Sequence, residues 1–189
     1  MKKILFGLAA LPFFASAANA ALPIGGYVGL RGGVSVPFSN DKNYEFDMDG
    51  NTAPFIGVNG GVRLLSLRGE LEYLYRHKVM DVDLKNSSSS EQDVSTSSIM
   101  ANLYYNALEL PFFRLYVNGG VGYTYLDTNV DSNNGSFSWS AGLGVSFTLA
   151  ETFSLDVGYR YFDMGDIKVN GKSESINSND IYVGLRFGF

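Results

Sequence analysis

The sequence predicts an all-β protein, an eight-stranded antiparallel up-and-down barrel, and three observations lead there. After residue 20 apolar and polar residues alternate with period 2 almost everywhere, while the 3.6-residue spacing of an amphipathic helix holds over no useful length. The alternation breaks into eight runs. The breaks are long and short strictly in turn, which is the rhythm of a meander whose strands run up and down side by side.

The first run, Gly26 to Val36, places Val28, Leu30, Val34 and Val36 on one parity and Gly29, Arg31 and Gly33 on the other. A long polar stretch, 37–53, leads to the second run, Pro54 to Leu64, and a tight turn at Leu65 to Leu67 opens the third, Arg68 to Val79. Residues 80–96 form a second long connection, including the run Asn86-Ser87-Ser88-Ser89-Ser90, whose composition favours no packed structure. The fourth run, Ser97 to Leu108, turns at Glu109 to Pro111 into the fifth, Phe112 to Leu126. A third long connection, 127–135, precedes the sixth run, Ser136 to Thr148, which turns at Leu149 to Glu151 into the seventh, Thr152 to Asp163. The fourth long connection, 164–179, is rich in Asn, Asp, Ser and Gly, and the chain closes with Asp180 to Phe189. Most runs reach or slightly exceed the roughly 9–11 residues with which a tilted strand crosses a bilayer.

The first twenty residues belong to none of this. Lys2 and Lys3 precede an apolar run from Ile4 to Phe14 and a small-residue exit at Ala18-Asn19-Ala20, the pattern of a secretory signal peptide cut after Ala20. Residues 21–189 are then a single barrel domain. The chain has no cysteine, so neither disulfides nor N-terminal Cys lipidation contributes. Its formal charge of −5 becomes −7 once Lys2 and Lys3 are removed, which argues against nucleic acid as a partner.

A sheet with two such different faces must choose which one points outward. Mean hydropathy of +0.01 fits a water-soluble barrel, so the arrangement decides. The apolar parity is banded: Tyr75, Tyr123, Tyr125, Phe137, Trp139, Tyr159 and Tyr161 lie towards the long connections, and Tyr105, Phe147, Phe153, Phe187 and Phe189 towards the short turns. Val117, Val121, Leu143, Val145, Leu155, Val157, Val183 and Leu185 fill the middle. Two levels of amphipathic rings with hydrocarbon between them match two membrane interfaces. The polar parity is rich in glycine and serine, which suits the narrow interior of an eight-stranded barrel. The fold class is therefore a transmembrane β-barrel.

With this arrangement the chain resembles the small eight-stranded bacterial outer-membrane β-barrel family, that of the OmpA transmembrane domain, OmpX and Opa-like proteins. The resemblance covers the whole chain after the signal peptide. It implies an outer-membrane location with both termini periplasmic, and contact with outer-membrane lipid and lipopolysaccharide. It also implies that the terminal alternation Ile181, Val183, Leu185, Phe187 and Phe189 is the signal read by the barrel assembly machinery.

Inside such a barrel the expected charges are Arg31, Arg63, Arg76, Lys78, Arg114, Arg160 and Arg186, with Glu70, Glu72 and Asp156. They interdigitate as a salt-bridged plug or, alternatively, line a narrow or gated pore whose cationic surplus prefers anions. His77 lies on the lipid-facing parity; with Asp81 and the loop serines it holds ingredients of a lipid-modifying site, but no spacing fixes a triad and a headgroup contact is the simpler account. Asp47-Met48-Asp49 and Asp81-Val82-Asp83 lack the glycine and bidentate glutamate of a calcium loop, so no metal or other cofactor is expected. The motifs at Gly119 to Tyr123 and Gly142 to Gly144 precede no helix and so are not phosphate loops. The long connections carry fourteen acids, counting Asp163 and Asp180 at strand margins, against Lys42, Lys85, Lys168 and Lys172. That acidic cap, with Tyr44, Phe46 and Met48 as contact anchors, points to a non-enzymatic surface protein that meets a host or extracellular ligand through its loops.

Overall fold

The computed structural model describes residues 24–38, 52–77, 95–127, 135–169 and 172–189. Eight strands follow in order: β1 (Ile24–Phe38), β2 (Ala53–Leu64), β3 (Leu67–Arg76), β4 (Ser95–Glu109), β5 (Phe113–Asp127), β6 (Gly135–Thr148), β7 (Phe153–Val169) and β8 (Lys172–Gly188). Each pairs antiparallel with its neighbours in sequence, and β1 closes on β8 in a register that sets Tyr27 opposite Gly188, Leu30 opposite Leu185 and Phe38 opposite Asn177. Closure leaves no open edge within the barrel wall, which a bilayer requires because it offers backbone amides no partner.

The short turns are tight. Leu64 faces Leu67 across a two-residue turn in which Leu65 has φ of 53°, and Glu109 faces Arg114 across the next. At the other end the sequence expectation of a fourth long loop over 164–179 is wrong. β7 and β8 run on as a hairpin in which Asp166 pairs with Ser175 and Val169 with Lys172. β6 stops pairing at Asp163 and β1 at Asn177, so among the described residues this extension has only itself as a backbone partner. A register shift between Asp163 and Asp166 marks where it begins; Gly165 takes φ of 77° there, and its N–H donates to Asp163 Oδ1 at 2.7 Å. Composition concealed the hairpin because a ladder beyond the membrane has no reason to alternate apolar and polar residues.

The distribution of side chains is the reverse of a water-soluble domain. Among the described residues twenty buried side chains are polar or charged and ten are hydrophobic, while thirty-four large hydrophobic residues are exposed, most of them on the strands of the outer wall. Such a continuous apolar surface is incompatible with water and suits acyl chains. Ring contacts mark its two rims: Trp139 against Tyr161 at 5.4 Å and Tyr123 against Phe137 at 6.4 Å at one end, Phe153 against Phe187 at 5.2 Å at the other. Ile181, Val183, Leu185, Phe187 and Phe189 all lie exposed on the outer wall.

Candidate functional site: the charged lumen

The inward parity of the strands converges on a barrel axis only wide enough for side chains to fill. At the long-connection end an apolar collar of Ala53, Phe55, Leu74, Met100, Phe162 and Met164 packs across the bore. Directly beneath it lies Asp180, and Arg76 Nη2 and Arg160 Nη2 donate to its Oδ2 at 2.8 and 3.0 Å. Ser35 and Ser178 hydroxyls donate to its other oxygen. The Arg76 guanidinium lies 4.1 Å from the Phe162 ring, so the collar also shields the cation's face.

Arg160 carries the network downward through Nη1 to Glu72 Oε2 at 2.8 Å, where the Asn102 amide also donates at 2.9 Å. Arg31 takes the other Glu72 oxygen, and its Nη2 reaches Glu70 Oε1 at 3.2 Å. Tyr104 and Tyr27 hydroxyls complete Glu70, each at 2.9 Å. One chain of pairs, Arg76–Asp180–Arg160–Glu72–Arg31–Glu70, thus ties β1, β3, β7 and β8 together.

A second cluster sits nearer the short turns. Arg186 grips Asp156 bidentately, Nε to Oδ2 at 2.7 Å and Nη2 to Oδ1 at 2.8 Å, and Nη2 also donates to Ser146 Oγ at 2.7 Å. Arg68 Nη1 stands 3.6 Å from the same carboxylate and its guanidinium stacks 4.0 Å from the Tyr104 ring. Glycine makes room for the tyrosines between the two clusters: a Cβ at Gly158 would lie 2.4 Å from the Tyr182 ring, and one at Gly144 would lie 2.4 Å from the Tyr116 hydroxyl.

Of the expected lumen charges, Arg31, Glu70, Glu72, Arg76, Asp156, Arg160 and Arg186 are buried inside. Arg63 and Arg114 are not part of the buried network. Both stand at the short-turn mouth, where Arg63 keeps 42% of its side chain exposed and Arg114 Nη2 donates to Thr148 Oγ1 at 2.6 Å. Lys78, the carboxylate pairs at 47–49 and 81–83, the anchors Tyr44, Phe46 and Met48, and the signal peptide lie outside the described residues. His77 is exposed at the end of β3, its N–H bonded to Pro54 O.

The lumen set expected from the sequence omits two members of the network. Arg68 shares the parity of Glu70, Glu72 and Arg76, so the signal was present but unused. Asp180 was counted among the loop acids, although it shares the parity of Tyr182 and Arg186; the strand simply continues further than its apolar alternation. With both restored, the buried lumen of the described residues holds five arginines and four carboxylates, not a large cationic surplus. The pairing follows from cost: each charge taken out of water loses several kcal/mol of solvation, by order of magnitude, which is offset only by near-complete pairing.

The chain resembles known proteins in the same terms. It is 21% identical over 124 residues to the outer membrane protein PagN of Salmonella typhimurium, and spans about half that relative's length, 52% of each chain being covered. Neisserial surface protein A superposes with a TM-score of 0.67 at 20% identity, over 87% of this chain and 97% of that one. The outer membrane protein AlkL, determined in lipid bilayers, superposes with a TM-score of 0.53 at 14% identity, over 92% and 94% of the two chains. The outer membrane protein beta-barrel domain model matches residues 6–189, nearly the whole chain, and with the closed eight-stranded wall and its apolar exterior this makes the protein a bacterial outer-membrane barrel of that family.

Proposed function

We propose that the protein is a non-enzymatic surface protein: a rigid, filled barrel that holds its acidic long connections outside the cell, where they meet a host or extracellular ligand. The observation that carries this reading is the lumen, in which six charges form one unbroken chain of pairs beneath an apolar collar. A bore so occupied serves stability better than passage, and leaves the long-connection end as the surface through which the protein acts. Residues 1–20 act as a cleaved signal peptide and both termini face the periplasm. The outward row from Ile181 to Phe189 is presented to the barrel assembly machinery, and the ringed outer wall meets lipid and lipopolysaccharide.

Binding of the refolded barrel to host cells and extracellular matrix tests the reading, with variants trimmed in 39–51, 80–94 and 128–134 as controls. Trimmed barrels should still shift on heating in gels yet lose binding; binding retained by every trimmed barrel overturns the loop role. An epitope placed at Ser88 should be reached by antibody on intact cells, and its protection would reverse the orientation.

A further inference from the structure

We propose that the short-turn mouth of the barrel holds a binding site for a small soluble phosphate-type oxyanion. The site goes beyond the surface role, resting on the barrel's own side chains and not on the long connections. Arg63, Arg68, Arg114 and Arg186 arrive there from four strands and, with Asn106 and Ser146, line a cavity of about 10 Å³. None of these six lining residues is acidic.

The neighbouring carboxylates are already committed. Both oxygens of Asp156 accept from Arg186. Glu109 accepts from the Asn106 amide at 2.7 Å and lies 4.0 Å from Arg63 at the exposed rim. Arg68 is left over. It is only 4% exposed, is held against the Tyr104 ring, and its Nε and Nη2 are buried without a hydrogen-bond partner. A fixed guanidinium with two open donors costs stability unless something accepts from it.

The strand register sharpens the point. Arg63 and Arg68 stand directly opposite each other on β2 and β3. Like charges at a directly opposed cross-strand pair repel, so the wall itself pays for this placement unless an anion lies between them. Convergent guanidiniums suit an acceptor with several oxygens and more than one negative charge, which takes forked donors from different sides; a halide offers no such fork. The cavity has room for one water-sized body, and a larger one is admitted if the half-exposed Arg63 and Arg114 side chains exchange their rim contacts, to Leu65 O and Glu109 and to Thr148 Oγ1, for the ligand. The site opens along the barrel axis and is walled from lipid by the strands, so the ligand is a dissolved anion and not a lipid headgroup.

Titration of inorganic phosphate into the full refolded barrel, in a phosphate-free non-ionic detergent at constant ionic strength, tests the site. Saturable binding of one phosphate is expected, weakened about tenfold in Arg63→Gln and in Arg114→Gln, since the loss of one charge-assisted bond is worth roughly that factor. Glu109→Gln removes a competing carboxylate and should tighten binding. Phosphate, but not equimolar chloride, should also slow phenylglyoxal modification of Arg63 and Arg114, a readout that needs no variant. Absent saturation, an affinity in both arginine variants equal to that of the unaltered protein, or displacement of phosphate by phosphatidylglycerol in nanodiscs overturns the proposal.

Discussion

Asp180 accepts from two arginines that reach it from different strands, Arg76 on β3 and Arg160 on β7. Neither cation has another route to water, since both are fully buried. Asp180→Asn keeps the shape of the side chain but leaves Arg76 without a carboxylate, while Arg160 retains Glu72. Breaking a buried pair from one side typically costs about 3–5 kcal/mol. The variant should therefore unfold at clearly lower urea concentration in detergent, and an unchanged midpoint would show that the network contributes little. Gly158 makes a steric counterpart, because a methyl group there meets the Tyr182 ring at 2.4 Å, and that ring is already held by the Arg31 guanidinium 4.7 Å from it and by its hydroxyl's contact with Tyr116 at 3.1 Å. Overpacking of this kind costs about 1–3 kcal/mol. Gly158→Ala should show that loss, and Tyr182→Leu in the same chain should recover part of it; a double variant no more stable than Gly158→Ala alone would contradict the contact.

β8 shows how far an element can be read from its sequence. From Ile181 to Phe189 the alternation is clear because one face meets hydrocarbon and the other a crowded bore, and each parity is under a different constraint. Val183 stands on the outer wall between Gly32 and Val157, so Val183→Arg should destabilise the barrel by about 2–4 kcal/mol in bilayers, measurable from urea unfolding in vesicles. A silent substitution would place Val183 away from the hydrocarbon. Below Asp180 the same strand continues through residues that the sequence reading gives to a loop, because no lipid acts on them and alternation fades. Asp180 itself opens the eighth run, yet is counted with the acidic cap and not with the lumen. Phe55, Tyr27 and Tyr116 go unassigned in the sequence reading, which weighs the inward parity for its charges and small residues, whereas glycine on neighbouring strands lets Tyr27, Tyr116 and Tyr182 fold inside. The extension itself depends on Gly165, where a Cβ would meet Ser136 Oγ at 2.2 Å with φ already at 77°. Gly165→Ala should loosen the hairpin, seen as faster amide exchange over 166–175 with the barrel amides unchanged; equal exchange in the two proteins would show that the bulge is not needed.

At the scale of the whole molecule, the wall and the bore do separate work. Strand pairing and lipid contact close the cylinder, and the paired charges then fill it, so that removing charge from inside need not open the wall. That separation allows filling to be tested apart from folding. Arg31→Ala with Glu72→Ala removes one cation and one anion together, and what remains is still partnered: Arg160 keeps Asp180, and Glu70 keeps the hydroxyls of Tyr27 and Tyr104. The doubly substituted barrel thus leaves Glu70 hydrogen-bonded but without its ion pair, and loses two of the side chains that cross the middle of the bore. In planar bilayers the unaltered protein should give no discrete channels, and the double variant should give small ones, with modest ion preference because the buried charges nearly balance. Reproducible channels from the unaltered protein, closing or changing selectivity when Arg63 and Arg114 at the mouth are neutralised, would mean that the network is a gate and that the barrel conducts.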